Sequence, residues 1–124
     1  MKLDSQKLSL VIAVYNKPEN LRLVLAACAR QSFTDFEAII ADDGSGTEVS
    51  EVVEEAKRAY SYPIIHLWHE DNGWRKNVML NNALRAARAA HIVFIDGDCL
   101  PGKHFLLDHW NEREAGKVLL GRRV

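Results

Sequence analysis

Four short apolar runs in this chain each stop at polar, mostly acidic residues, and a stretch of helical periodicity divides each run from the next. The first, Leu8–Val14, ends at Tyr15-Asn16-Lys17-Pro18, and the second, residues 36–41, runs into Asp42-Asp43-Gly44-Ser45. The third, Ile64–Trp68, leads into His69-Glu70-Asp71-Asn72-Gly73, and the fourth, residues 92–95, into Asp96-Gly97-Asp98. Runs of this length, rich in β-branched and aromatic residues, are expected of strands buried on both faces of a parallel sheet.

The intervening segments carry helical stripes. Pro18 suits a first helical turn, and Leu21, Val24, Leu25 and Cys28 follow at the spacing of one apolar face. Val49, Val52, Val53 and Ala56 form the second stripe, preceded by Ser45 and Glu48 in capping-box spacing. Leu80, Ala83, Leu84 and Ala87 are expected to form the third, in a helix over residues 74–90. Pro101 is expected to open a short fourth helix carrying Phe105, Leu106 and Trp110. Residues 118–120 read as a fifth strand, pairing either with the sheet edge or with another copy of the chain in a homo-oligomer, and residues 1–6 read as loose.

Strand and helix therefore alternate, which implies an α/β fold of three layers, Rossmann-like, with a mainly parallel sheet in the order 3-2-1-4 and right-handed crossovers. Every strand then ends on one rim, where open α/β sheets bind ligands. Asp96-Gly97-Asp98 admits two readings by itself. It is either a polar turn or a pair of carboxylates whose repulsion a divalent cation relieves. Oxygen donors favour Mg2+ or Mn2+, ions that complete their shells with water and substrate phosphates. No glycine-rich dinucleotide fingerprint follows the first strand and no P-loop occurs, so phosphates would be held by metal and side chains.

Composition narrows the partners. With 16 basic and 17 acidic residues the formal net charge is −1, which gives no reason to expect nucleic acid as a partner. No apolar run is long enough to span a membrane and no signal-peptide pattern precedes the first strand, so the expected location is cytoplasmic. Cys28 and Cys99 have no metal-site spacing and are expected to be free thiols. The five histidines also lack ligand spacing and read as structural or solvent-facing, His69 being nearest the rim. Trp68 and Trp110 read as core, while Trp74 could flank a ligand.

The strand ending Val14-Tyr15-Asn16, the segment Gln31-Ser32-Phe33-Thr34-Asp35-Phe36-Glu37, Ala41-Asp42-Asp43-Gly44-Ser45 and Phe94-Ile95-Asp96-Gly97-Asp98 together resemble family 2 glycosyltransferases of the GT-A fold. The resemblance runs over nearly the whole chain. It implies an inverting transferase that takes a nucleotide-sugar, expected to be a UDP-sugar, and holds its diphosphate through Mn2+ or Mg2+. It also implies that Ala13, Tyr15, Asp42 or Asp43, Arg75 and Asp96 contact the nucleotide, and that Asp98, with Asp96, holds the metal. An aspartate would accept from the base N–H in a charge-assisted bond. Arg75, next to Asn72-Gly73-Trp74, would meet the diphosphate with its planar fork. Leu80 stands where many relatives have arginine.

In such enzymes the acceptor site and the general base lie beyond the fifth strand. Residues 1–124 are accordingly expected to be a single, truncated donor-binding domain without its acceptor half, leaving the catalytic base unknown. The acceptor would be a saccharide or lipid, which also admits association with the cytoplasmic side of a membrane. A non-catalytic nucleotide-binding module is the alternative. A haloacid dehalogenase-type phosphatase or a phospho-receiver module would need further strands bearing Thr or Ser and Lys after the acidic strand.

Overall fold

The computed structural model describes residues 6–112 and the backbone of Leu119–Leu120. Strands β1 (Leu8–Val14), β2 (Phe36–Asp42), β3 (Ile64–Trp68), β4 (His91–Asp96) and β5 (Leu119–Leu120) alternate with helices α1 (Pro18–Ala29), α2 (Thr47–Ala59), α3 (Lys76–Ala86) and α4 (Phe105–Asn111). The sheet order is β3-β2-β1-β4-β5, parallel throughout, which contains the expected 3-2-1-4. β5 pairs with β4, so this segment takes the sheet edge. The expected loose start at residues 1–5 and Val118 of the fifth segment lie outside the described residues.

Side chains of the central strand alternate between two cores. Leu8, Leu10, Ile12 and Val14 pack with the α1 and α2 stripes and with Leu106 of α4, while Val11 joins Ile39, Ala41, Met79 and Ala83 beneath α3. The sheet is thus covered on both faces, as continuous apolar strands require.

Three helices depart from expectation. In α2 the N-cap is Gly46 and no side chain caps it; Ser45 Oγ instead accepts the Asn16 N–H at 2.6 Å. In α3 the buried residues are Met79 and Ala83, with Leu80 and Ala87 partly buried and Leu84 42% exposed. Its apolar residues support two overlapping stripes, and packing over β2 and β1 selects the one through Met79. Pro101 lies in the loop before α4, whose position is set by Gln31. The Gln31 amide donates to Gly102 O at 2.6 Å, and its Oε1 accepts the Leu106 N–H at 3.1 Å. Trp68 is also no core residue. It closes the edge strand β3, 51% exposed, donating Nε1–H to Ser45 O at 3.0 Å.

The α3 face hides a charge that periodicity did not reveal. Glu37, fully buried opposite Ser9, accepts the Ser9 hydroxyl at 2.6 Å, the Arg88 amide at 2.8 Å and Arg88 Nε at 3.1 Å. Burial pushes its carboxyl up, but the Ser9 and Arg88 donors outweigh burial and hold it below its ordinary value. Glu37→Gln faces those donors with an uncharged amide and should lower unfolding free energy by about 1.5–3 kcal/mol near neutral pH. A depressed carboxylate stabilises the fold above its unfolded pKa, ordinarily 4.5, and the contribution disappears as pH falls through the folded value. Urea unfolding of both proteins at neutral pH and at about pH 3 should therefore show the gap closing in acid.

Candidate functional site

The carboxyl ends of β1, β2 and β4 meet at one level because the register pairs Val14 with Asp42 and Ala13 with Asp96. Two short bonds draw the rim together: Asp43 N–H to Val14 O at 2.9 Å and Gly97 N–H to Ala13 O at 2.7 Å. Gly97 lets the second form without crowding its neighbours. A Cβ there would stand 3.0 Å from Ala13 O and 3.2 Å from Val14 Cγ2. A cleft of about 270 Å³ opens above this rim. Ala13, Tyr15, Asp43, Asp96 and Asp98 all line it, so five of the residues singled out from the sequence come together.

The Asp42-Asp43 pair divides its work. Asp42 is fully buried, its Oδ1 accepting the Ser45 N–H at 2.9 Å and its Oδ2 lying 2.8 Å from His66 Nε2. One oxygen serves the turn between β2 and α2 and the other faces β3, and Asp42 does not line the cleft. Asp43 does. Its Oδ1 lies 2.5 Å from His69 Nε2 and its Oδ2 accepts the Arg75 N–H at 2.8 Å, which fixes the carboxylate at the cleft wall.

Arg75 is placed otherwise than expected. It is the N-cap of α3, turns its backbone N–H to Asp43 and is absent from the cleft lining. Lys76, the first residue of the helix, reaches the cleft instead, with Nζ 2.7 Å from Asp96 Oδ1. Sequence reasoning passed over Lys76, and its adjacency to Arg75 was the available signal, since helix phase decides which of two neighbouring cations faces the rim. His66 and His69 were likewise passed over as partners of Asp42 and Asp43. Both come from β3 or its end, beside β2, yet their spacing from Asp42 and Asp43 carries no pattern.

Two loops complete the wall. Asn16 and Lys17 take left-handed conformations at φ 55° and 57°, and Asn16 Oδ1 accepts the Gly46 N–H at 3.1 Å, tying the β1 loop to the start of α2. Tyr15 donates its hydroxyl to Asp71 Oδ2 at 2.6 Å, and the Asp71 carboxylate raises its pKa above the ordinary value, so it stays a neutral phenol at any physiological pH. Trp74, 81% exposed, stands at the cleft mouth. Cys28 and Cys99 are free thiols, and burial pushes Cys28 up to about 12. Among the described residues, no group of three or more His, Cys, Asp or Glu is placed to hold a metal by itself, and no helix is long and apolar enough to cross a membrane.

The model of the family described as "Glycosyl transferase family 2" matches residues 9–124, almost the entire chain. This chain belongs to glycosyl transferase family 2. Among the curated family 2 relatives, the chondroitin synthase of Escherichia coli is 34% identical over 95 residues, covering 76% of this chain and 14% of its own length. Validoxylamine A glucosyltransferase of Streptomyces hygroscopicus subsp. jinggangensis is 34% identical over 122 residues, covering 92% of this chain and 28% of its own length. The chain thus spans between 14% and 28% of the length of these two relatives. The crystal structure of S. aureus TarS 1–349 in complex with UDP superposes with a TM-score of 0.70 at 27% identity, over 85% of this chain and 31% of that one. The family 2 chain has the GT-A fold, as the strand order and this superposition agree.

Proposed function

We propose that the chain is the donor-binding unit of an inverting glycosyltransferase and that its rim cleft takes a nucleotide-sugar, with uridine diphosphate as the nucleotide. The observation that carries this reading is the division of the cleft into two differently equipped ends. Asp43 stands at one, pinned by His69 and the Arg75 amide; Asp96, Asp98 and Lys76 stand at the other. A carboxylate held in place suits the N–H of a pyrimidine imide, because a charge-assisted bond is about twice as strong as a neutral one. Ala13 and Tyr15 would flank the nucleoside between the two ends. The UDP complex of TarS supports this choice of nucleotide, and the chondroitin synthase and the validoxylamine A glucosyltransferase among the relatives support the reaction class.

The residues fit a hard divalent cation. Asp98 is exposed on the cleft and Asp96 is half exposed beside it, so both can offer oxygen. With no third protein ligand clustered there among the described residues, the shell would be completed by water and the diphosphate, which is how Mg2+ and Mn2+ are usually held. Asp98 would be the principal ligand and Asp96 the second. When bound, such an ion would neutralise charge on the departing nucleotide. The chain's own residues orient the donor: Asp43 at the base, Tyr15 along the wall and Lys76 at the diphosphate.

The share of the relatives' length that the chain covers supports assigning the acceptor site, for a saccharide or lipid, and the general base to residues outside this sequence. A unit of that kind binds donor without transferring sugar, since a positioned base alone contributes about 10²- to 10⁴-fold. Calorimetric titration with uridine diphosphate, with and without Mn2+, tests the reading. Binding that Mn2+ strengthens, and that cytidine or adenosine diphosphate does not match, is the expected result. No binding of uridine diphosphate under either condition would overturn it.

A further inference from the structure

Lys76 occupies a position that a cation would compete for. Its ammonium lies 2.7 Å from Asp96 Oδ1, with both side chains partly exposed, and the pair faces the cleft as well as an adjoining groove that includes Asn77, Asn81 and Phe94. A divalent ion and an ammonium on one carboxylate repel each other. An ammonium on a flexible four-carbon stem can, however, move to another anion when one arrives. A diphosphate in this cleft is such an anion.

We propose that Lys76 is a built-in counter-ion for Asp96 that couples cation binding to diphosphate binding. Without nucleotide it neutralises Asp96 and opposes a divalent ion. With nucleotide it transfers to the phosphate oxygens and gives Asp96 up to the cation, so that the two ligands favour each other. By linkage the coupling is reciprocal. This inference rests on the donor-site reading above and adds to it an order within the site: the cation enters with the nucleotide.

The test compares the parent chain with Lys76→Met and Lys76→Arg, following Mn2+ alone by the electron paramagnetic resonance signal of the free ion, and uridine diphosphate without metal by calorimetry. Removing a positive charge about 4 Å from a divalent cation in a water-like dielectric is expected to tighten Mn2+ binding to Lys76→Met about 30-fold. The same variant should bind metal-free uridine diphosphate at least about tenfold more weakly, for want of its charge-assisted phosphate contact. Lys76→Arg, which keeps the charge, should stay near the parent in both. A lysine needed only for structure would weaken both ligands together, and Mn2+ binding to Lys76→Met no tighter than to the parent would overturn the proposal. Far-UV circular dichroism checks folding, and Lys76→Gln replaces the methionine variant if that one does not fold. Failure of the parent to bind uridine diphosphate at all counts against the donor-site reading instead, and the Mn2+ comparison still decides the role of Lys76.

Discussion

Gly44→Ala should destabilise the chain by about 2–4 kcal/mol and loosen one wall of the cleft with it. Gly44 has φ +91°, a backbone conformation in which L side chains are strained. Space is the larger obstacle. A Cβ there would stand 2.5 Å from Asp71 Cα, 2.6 Å from Asp71 N and 2.7 Å from Asp71 Cβ. These are mostly backbone atoms, so no rotamer change relieves the contact and the loop after β3 must move. That loop carries the carboxylate on which the Tyr15 hydroxyl rests and, two residues before, the histidine that holds Asp43. Chemical unfolding should report the loss of stability, and tyrosine fluorescence should report the release of Tyr15. Gly73→Ala makes the control: its φ is +85° but nothing lies within 4 Å of a Cβ, so strain acts there without the clash. Equal losses in the two variants would mean that backbone strain alone sets the value of Gly44.

How much of this was readable beforehand follows from what each feature depends on. β1 and β3 begin and end where the apolar runs do, and β2 extends one residue further to Asp42, because the apolar side chains mark what the sheet buries. Ser9 and Glu37 are tolerated inside β1 and β2 by bonding each other and Arg88. Strand order and the shared rim follow from alternation and crossover handedness. Features that depend on phase were not legible. Asp42 and Asp43 are neighbours with opposite fates, and the choice is made by His66 on β3 and by the Ser45 amide, both partners of Asp42. Arg75 and Lys76 are neighbouring cations, and the choice is made by α3 starting at Lys76. Leu84 and Trp68 read as buried because hydrophobicity says that a residue can be inside. That Trp68 closes an edge strand, and that α3 sits over β2 rather than β4, are facts of packing that composition does not carry.

Asp98→Asn should lower uridine diphosphate affinity in the presence of Mn2+ by at least about 10-fold, because loss even of an outer-shell partner costs a metal site about 10- to 100-fold and a direct ligand should cost no less. The substitution keeps the side chain's shape and removes the charge that balances the cation. Asp96 cannot take over, since in the donor-site reading it already serves the same ion as the second ligand. Uridine, which has no phosphates, should bind the variant and the parent alike, because its proposed partner Asp43 belongs to another strand and is held by His69 and Arg75 whatever happens at β4. Asp43→Asn should show the opposite pattern. It weakens uridine and uridine diphosphate by a similar factor, about 10-fold for one charge-assisted hydrogen bond made neutral, and leaves the gain from Mn2+ intact. Calorimetry of both variants with both ligands, each with and without Mn2+, separates the two ends of the cleft. If Asp98→Asn gains as much from Mn2+ as the parent does, then Asp96-Gly97-Asp98 is only the turn that ends β4, and the metal must be sought elsewhere or given up.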